Sequence, residues 1–153
     1  MVRILFGGPQ EEVRGKPSQI HSGLIDRLKA LNHEVVYVTR GDEFMGSLST
    51  NYDGLNEMRA RFRLDQEKYK LIIYDTRLIG DWGSGEKPQR AGLFKKMVIA
   101  PLTEVQVPVI ILADPLRTEL IRELVEQAGF KQIDQPYCIE DVINEVNFYL
   151  NSK

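Results

Sequence analysis

A chain of 153 residues fits one domain with a single full core, and its make-up, 42% hydrophobic and 27% charged, is ordinary for a globular protein. A formal net charge of −2, with no face flooded by Lys and Arg, excludes a polyanion-binding protein, so no nucleic-acid partner is expected. A single cysteine, Cys138, excludes an intrachain disulfide and a cysteine-based zinc cluster, and no apolar stretch is long enough to span a bilayer.

Residues 2–6, "VRILF", predict the first strand, stopped at once by Gly7, Gly8 and Pro9. The chain runs into this strand with no room for a signal sequence, so a reducing, cytoplasmic setting is expected and no membrane partner. Ser18 is placed to cap a helix on which Ile20, Leu24, Leu28 and Leu31 recur at helical spacing, and "NH" (32–33) ends it. Residues 34–39, "EVVYVT", predict a second strand. The polar stretch "RGDEFMGSLSTNYDG" reads as a loop ahead of a helix carrying Leu55, Met58 and Phe62 on one side.

The third strand is "KLIIYD" (70–75), nearly all apolar until Asp75. A long glycine-bearing loop, "TRLIGDWGSGEKPQR", leads to a short helix around "AGLFKKMVIA" that Pro101 is expected to end or kink. Residues 107–113 predict the fourth strand. Asp114 then reads as a helix cap with Pro115 in the first turn, Leu120, Ile121, Leu124, Val125 and Ala128 as the apolar stripe, and Gly129 as the stop. "KQID" (131–134) is a short fifth strand. Past Gln135-Pro136 the last helix turns Ile139, Val142, Ile143, Val146 and Leu150 inward.

Strand and helix alternate five times, and the central strands are continuous apolar runs, buried on both faces. That pattern predicts an α/β fold over residues 1–153: a doubly wound, five-stranded parallel sheet with helices on each side. The helix-to-strand connections are short, whereas those after the first three strands are long. Function is therefore expected at the carboxyl ends of the strands.

The order of elements, with "YKLIIYDTRL", "RAGLFKKM", "VPVIILADPLRTELIRELVEQAGF" and "IDQPYCIEDVINEV", resembles the receiver domains of two-component response regulators. The resemblance spans nearly the whole chain and implies the flavodoxin-like strand order 2-1-3-4-5. It also implies phosphotransfer from a kinase histidine to an aspartate around Mg²⁺, a hard cation that takes oxygen ligands. Asp75 stands at the acceptor position. The other receiver-equivalent positions are substituted: Gly7 and Gly8 replace the acidic pair, Ala113 the hydroxyl residue, Gln132 the aromatic of the fifth strand, and Gln135 the lysine. A phosphorylated Asp75 would then face a wall without a cation, so Asp75 reads as a vestigial acceptor, hydrogen-bonded to backbone amides of the next loop. Glu11 and Glu12, with Asp75, are the candidates to rebuild a metal site, with Asp81 or Asp114 contributing; that would leave a working acceptor.

The expectation is a stand-alone pseudo-receiver without enzymatic activity and without a cofactor beyond that Mg²⁺ option. It would act on a protein partner, a histidine kinase or an output protein. Receivers commonly bind through the fourth helix, fifth strand and fifth helix, which here carry Arg117, Arg122, Glu126, Lys131 and Glu140; an ordinary solvated face is the bland alternative.

A second reading starts from Gly7 and Gly8, since glycines after a first strand let backbone approach a phosphate. "ILFGGPQ" and "HSGLIDRLKALNHEVVYVTRG" look like the opening of a two-halved Rossmann-like glycosyltransferase, implying a nucleotide-sugar or other anion. The loop cations Arg14, Lys16, Arg40, Arg77, Lys87 and Arg90 suit an anion, or pair with the interleaved Glu11, Glu12, Asp42, Glu43 and Asp81. His21 and His33 have no metal-ligand spacing. Cys138 reads as a packed core thiol, and Trp82 as either a partner contact or a plug over Asp75.

Overall fold

The computed structural model describes residues 2–9, 19–48, 69–79 and 87–151. The elements are β1 (Arg3–Gly7), α1 (Gln19–Ala30), β2 (Glu34–Val38), α2 (Gly41–Leu48), β3 (Tyr69–Asp75) and a 3₁₀ turn (Thr76–Ile79). Then come α3, made of helix Lys87–Phe94, a π turn Lys95–Ile99 and helix Ala100–Glu104, β4 (Val109–Ala113), α4 (Thr118–Gln127), β5 (Lys131–Asp134) and α5 (Ile139–Asn151). All strand pairs are parallel, in the order β2-β1-β3-β4-β5. This is the expected doubly wound sheet.

Side chains alternate between the two faces of the sheet, because successive strand residues point opposite ways. Ile4, Phe6, Leu71, Ile73, Ile110 and Leu112 join Leu24 and Leu28 of α1 and Val142 and Val146 of α5 in one core. Leu5, Ile72, Tyr74, Val109 and Ile111 join Phe44, Phe94, Leu102, Ile121 and Val125 in the other. With both faces covered, the central strands carry no solvated side, which explains their unbroken apolar runs.

Two helix ends follow the sequence closely. Asn32 (φ 69°) and Gly129 (φ 77°) take the left-handed conformation after α1 and α4. Each end closes as a Schellman motif: His33 N–H donates to the Leu28 carbonyl at 3.2 Å, and Phe130 N–H to the Val125 carbonyl at 3.1 Å.

Four local expectations are corrected. Residues 41–48 form α2 within the stretch read as loop, anchored by the buried Phe44. Pro101 does not end α3; the π turn just before it lets Ala100 N–H reach the Lys95 carbonyl, and the Thr103 hydroxyl takes the Ile99 carbonyl at 2.7 Å. Arg117, not Asp114, stands at the cap position of α4. Leu31, expected in the apolar stripe of α1, lies past the last helical residue and is 42% exposed. The helix expected around Leu55, Met58 and Phe62, and the cap at Ser18, lie outside the described residues.

Candidate functional site

The carboxyl ends of β1, β3, β4 and the turn after β5 meet at Asp75, whose side chain is fully buried. The 3₁₀ turn folds Arg77 back over it. Arg77 gives its backbone N–H (2.8 Å) and Nε (3.2 Å) to Oδ1 and its Nη2 (2.9 Å) to Oδ2. From α1, buried His21 brings Nε2 to 2.6 Å from Oδ2. An ionised carboxylate only accepts, so Nε2 donates to it, and Nδ1 on the other side of the ring is hydrogen-bonded with the Tyr137 hydroxyl, 2.6 Å away. Burial alone would raise the Asp75 pKa; the bonds from His21 and Arg77 outweigh it and hold the carboxyl below its ordinary value. The same bond to Asp75 raises the Arg77 pKa, while burial, reinforced by the Asp75 charge, raises the Tyr137 phenol.

The network continues into the last turn. Arg77 Nη2 also donates to Gln135 Oε1 at 2.7 Å, and Gln135 Nε2 donates to the Leu112 carbonyl at 3.2 Å. Asp114, also buried, accepts from the Thr76 hydroxyl (2.7 Å), the Arg117 guanidinium (2.7 Å) and the Leu116 N–H (3.1 Å). It therefore closes the turn before α4 and ties β3 to β4 instead of capping the helix directly.

Gly7 and Gly8 are glycines for a steric reason. A Cβ on Gly7 would lie 2.7 Å from the Phe44 ring and 2.8 Å from Leu78; one on Gly8 would lie 2.6 Å from the Tyr37 hydroxyl and 3.3 Å from the His21 ring. Phe6 backs the same wall, its ring centroid 4.9 Å from His21 and 5.2 Å from Tyr37. Aromatic rings and an imidazole thus fill the space in front of Asp75 on the β1 side.

No protein-family model and no curated protein matches this sequence. Solved structures do. The receiver domain of the sensor histidine kinase PA1611 from Pseudomonas aeruginosa, with a magnesium ion in its active-site cleft, aligns with a TM-score of 0.53 at 16% identity, covering 99% of this chain and 98% of that one. The inactive form of the regulatory domain from the repressor of iron transport regulator RitR aligns at 0.60 and 18%, covering 100% and 98%. A CheY-like receiver domain from Methanospirillum hungatei aligns at 0.60 and 15%, covering 99% and 94%. The chain has the fold of a response-regulator receiver domain.

On the receiver fold, the site can be tested for Mg²⁺. Gly7 and Gly8 bring no oxygen side chain, and the bonds that the described residues make to Asp75 come from cationic or N–H donors, which compete with a metal for the same lone pairs. Among the described residues no cluster of three His, Cys, Asp or Glu is placed to hold an ion. Those residues do not fit the metal. Glu11, Glu12 and Asp81, the candidates to rebuild it, lie outside the described residues, as does Trp82.

A cation does stand beside Asp75: Arg77, read as a surface-loop charge, reaches it from the β3 side, while Gln135 occupies the position across from it. His21 went unrecognised, although it shares the i, i+3, i+4, i+7 stripe of buried Leu24, Ile25 and Leu28, which points an imidazole at the core. Cys138 is exposed, directly ahead of α5, and not a core thiol. Arg117 is turned inward onto Asp114, its side chain 17% exposed. Arg122, Lys131 and Glu140 stay at the surface in ion pairs with Asp134, Glu145 and Arg27. Gln132, within β5, is half-buried and donates to the Thr118 carbonyl at 3.1 Å and to Asp134. Ala113 is buried without a hydroxyl to offer.

The crowding gives a direct expectation. Gly8→Asp lowers stability by about 2 kcal/mol through overpacking against Tyr37 and His21. It also leaves thermal unfolding insensitive to Mg²⁺, whereas a Mg²⁺-dependent rise in Tm would mean that the pocket opens readily.

Proposed function

We propose that this protein is a pseudo-receiver: a signalling module on the receiver fold that acts through protein contacts and does not transfer phosphate at Asp75. The observation that carries the reading is the saturation of the Asp75 carboxylate. A phosphoacceptor needs one oxygen free to attack and a metal beside it, whereas here Oδ2 is engaged by His21 and Arg77 and Oδ1 by the Arg77 backbone and side chain, in a buried pocket. The attacking oxygen would first have to shed about two charge-assisted bonds, each worth about 1.5–3 kcal/mol.

The surface of α4, β5 and α5 is the proposed contact face, with Arg122, Lys131 and Glu140 on it and Leu116, 88% exposed, at its edge. The partner would be a protein, a kinase or an output protein. No described helix is long and apolar enough to cross a membrane. The nucleotide-sugar alternative gains nothing from the cavity beside the sheet. That space, about 360 Å³, is walled by Gly41, Phe44, Met45, Tyr74, Leu78 and Met97 among others, and among the described residues a pyrophosphate would find no cation on those walls.

The test is exposure to acetyl phosphate or fluoroberyllate with Mg²⁺. Intact mass and the amide spectrum around Asp75 should stay unchanged. A stoichiometric, Mg²⁺-dependent gain of one phosphoryl group that disappears in Asp75→Asn would refute the reading.

A further inference from the structure

The Asp75 carboxylate is the meeting point of two hydrogen-bonded arms that end on the same turn. One runs from Asp75 through the Arg77 guanidinium to Gln135 Oε1, at 2.9 and 2.7 Å. The other runs from Asp75 through the His21 imidazole to the Tyr137 hydroxyl, with both distances 2.6 Å. The His21 and Tyr137 rings also stack, with centroids 5.7 Å apart and planes 7° from parallel. Gln135 and Tyr137 bracket Pro136 in the short turn between β5 and α5, so the arms grip that turn from both sides.

The grip extends outward in both directions. Gln135 is bound to the end of β4 by its N–H, 2.8 Å from the Ala113 carbonyl. One residue after Tyr137, the Cys138 carbonyl accepts the N–H groups of Asp141 (3.0 Å) and Val142 (3.4 Å), which form the first turn of α5. That helix presents Glu140, Asp141 and Phe148, the last 64% exposed, to solvent.

We propose that Asp75 works as the keystone of a conformational clamp, with Tyr137 and Gln135 as positioning residues that fix the β5–α5 turn and the start of α5 in one state. The clamp rests on the reading of Asp75 as a carboxylate that does not transfer phosphate, since a phosphoryl group would displace both arms. It goes beyond that reading because the carboxylate then holds the α5 surface set without an input at the acceptor. The arms are coupled through one shared charge. Removing the carboxylate frees both, while removing the Tyr137 hydroxyl frees one and leaves Arg77 in place.

Amide hydrogen exchange on the full chain tests this. Tyr137→Phe keeps the ring and deletes the hydroxyl. It should speed exchange at Asp141 and Val142 about tenfold, the equivalent of one lost hydrogen bond, while the amides of α4 keep their wild-type protection. Asp75→Asn should speed the same amides at least as much. The double variant should add little to Asp75→Asn alone, because one network is being cut twice. Unchanged exchange at α5 in Tyr137→Phe, or effects of the two changes that simply multiply, would overturn the clamp. Gln135→Ala, which cuts only the other arm, serves if Asp75→Asn fails to fold. Phosphoryl uptake by the wild type would remove the pseudo-receiver reading, and with it the claim that α5 is held without an input at the acceptor, whereas the exchange results decide separately whether the two arms hold the turn in the unmodified protein.

Discussion

Asp75→Ala is expected to destabilise the protein by about 3 kcal/mol, the lower end of the cost of breaking a buried ion pair from one side. The lower end applies because the Arg77 side chain is 30% exposed and water can recover part of its charge, whereas buried His21 loses its acceptor without relief. In a chain of 153 residues that loss lowers Tm by about 6–12 °C, readable by calorimetry. Asp75→Asn loosens both arms by removing the charge they share but keeps the volume and leaves a neutral amide in the pocket, so it should cost about half as much. Acid should act in the same direction. The folded pKa of Asp75 lies below its ordinary value of 3.8, so its ionised form contributes stability that is fully present above that value. This contribution is lost as pH falls through the folded pKa. Asp75→Asn should therefore show a shallower acid loss of stability than wild type in urea titrations at stepped pH. A variant equal to wild type at every pH would mean that the ion pair adds nothing net.

The sheet was legible because its strands are buried on both faces. Val109–Ala113 and most of Tyr69–Asp75 read as unbroken apolar runs, the pattern of strands in a parallel sheet covered by helices on both sides. The places of Asp75 and Ala113 were legible for the same reason, since each closes a recognisable strand. The partners of Asp75 were not. His21 is 54 residues away and belongs to a helix stripe otherwise made of Leu and Ile, so its contact with Asp75 exists only once α1 has packed on the sheet. Arg77 is near in sequence, yet its inward course depends on the 3₁₀ turn at Thr76–Ile79, which the composition of that loop does not announce. The helix α2 escaped notice because Gly41, Gly46 and Ser47 lower its intrinsic propensity; burial of Phe44 against Tyr74, centroids 5.1 Å apart, stabilises it instead.

Packing and polar chemistry meet at Phe6, and the second large effect is expected there. Its side chain is fully buried in the core shared with α1 and α5, so Phe6→Ala removes a ring that the close-packed neighbours cannot replace and should cost about 3–5 kcal/mol. Phe6→Leu, which leaves much of the volume, should cost under about 1.5 kcal/mol. Urea unfolding would show the difference as a lower midpoint at an unchanged m-value. The ring also forms the wall against which His21 and Tyr37 are set, 51° and 59° from its plane. Its removal therefore gives the imidazole room to tilt away from Asp75 and Tyr137. Phe6→Ala should accordingly quicken amide exchange at the start of α5, although Phe6 touches neither the β5–α5 turn nor the helix through a polar bond. The comparison with Phe6→Leu separates the two contributions. A variant that is destabilised yet keeps wild-type protection at Asp141 and Val142, relative to its own global stability, would show that His21 holds its position by hydrogen bonds alone. If protection there falls further than global stability does, the aromatic wall is part of what orients the imidazole, and Gly8 is the space that Tyr37 and His21 required.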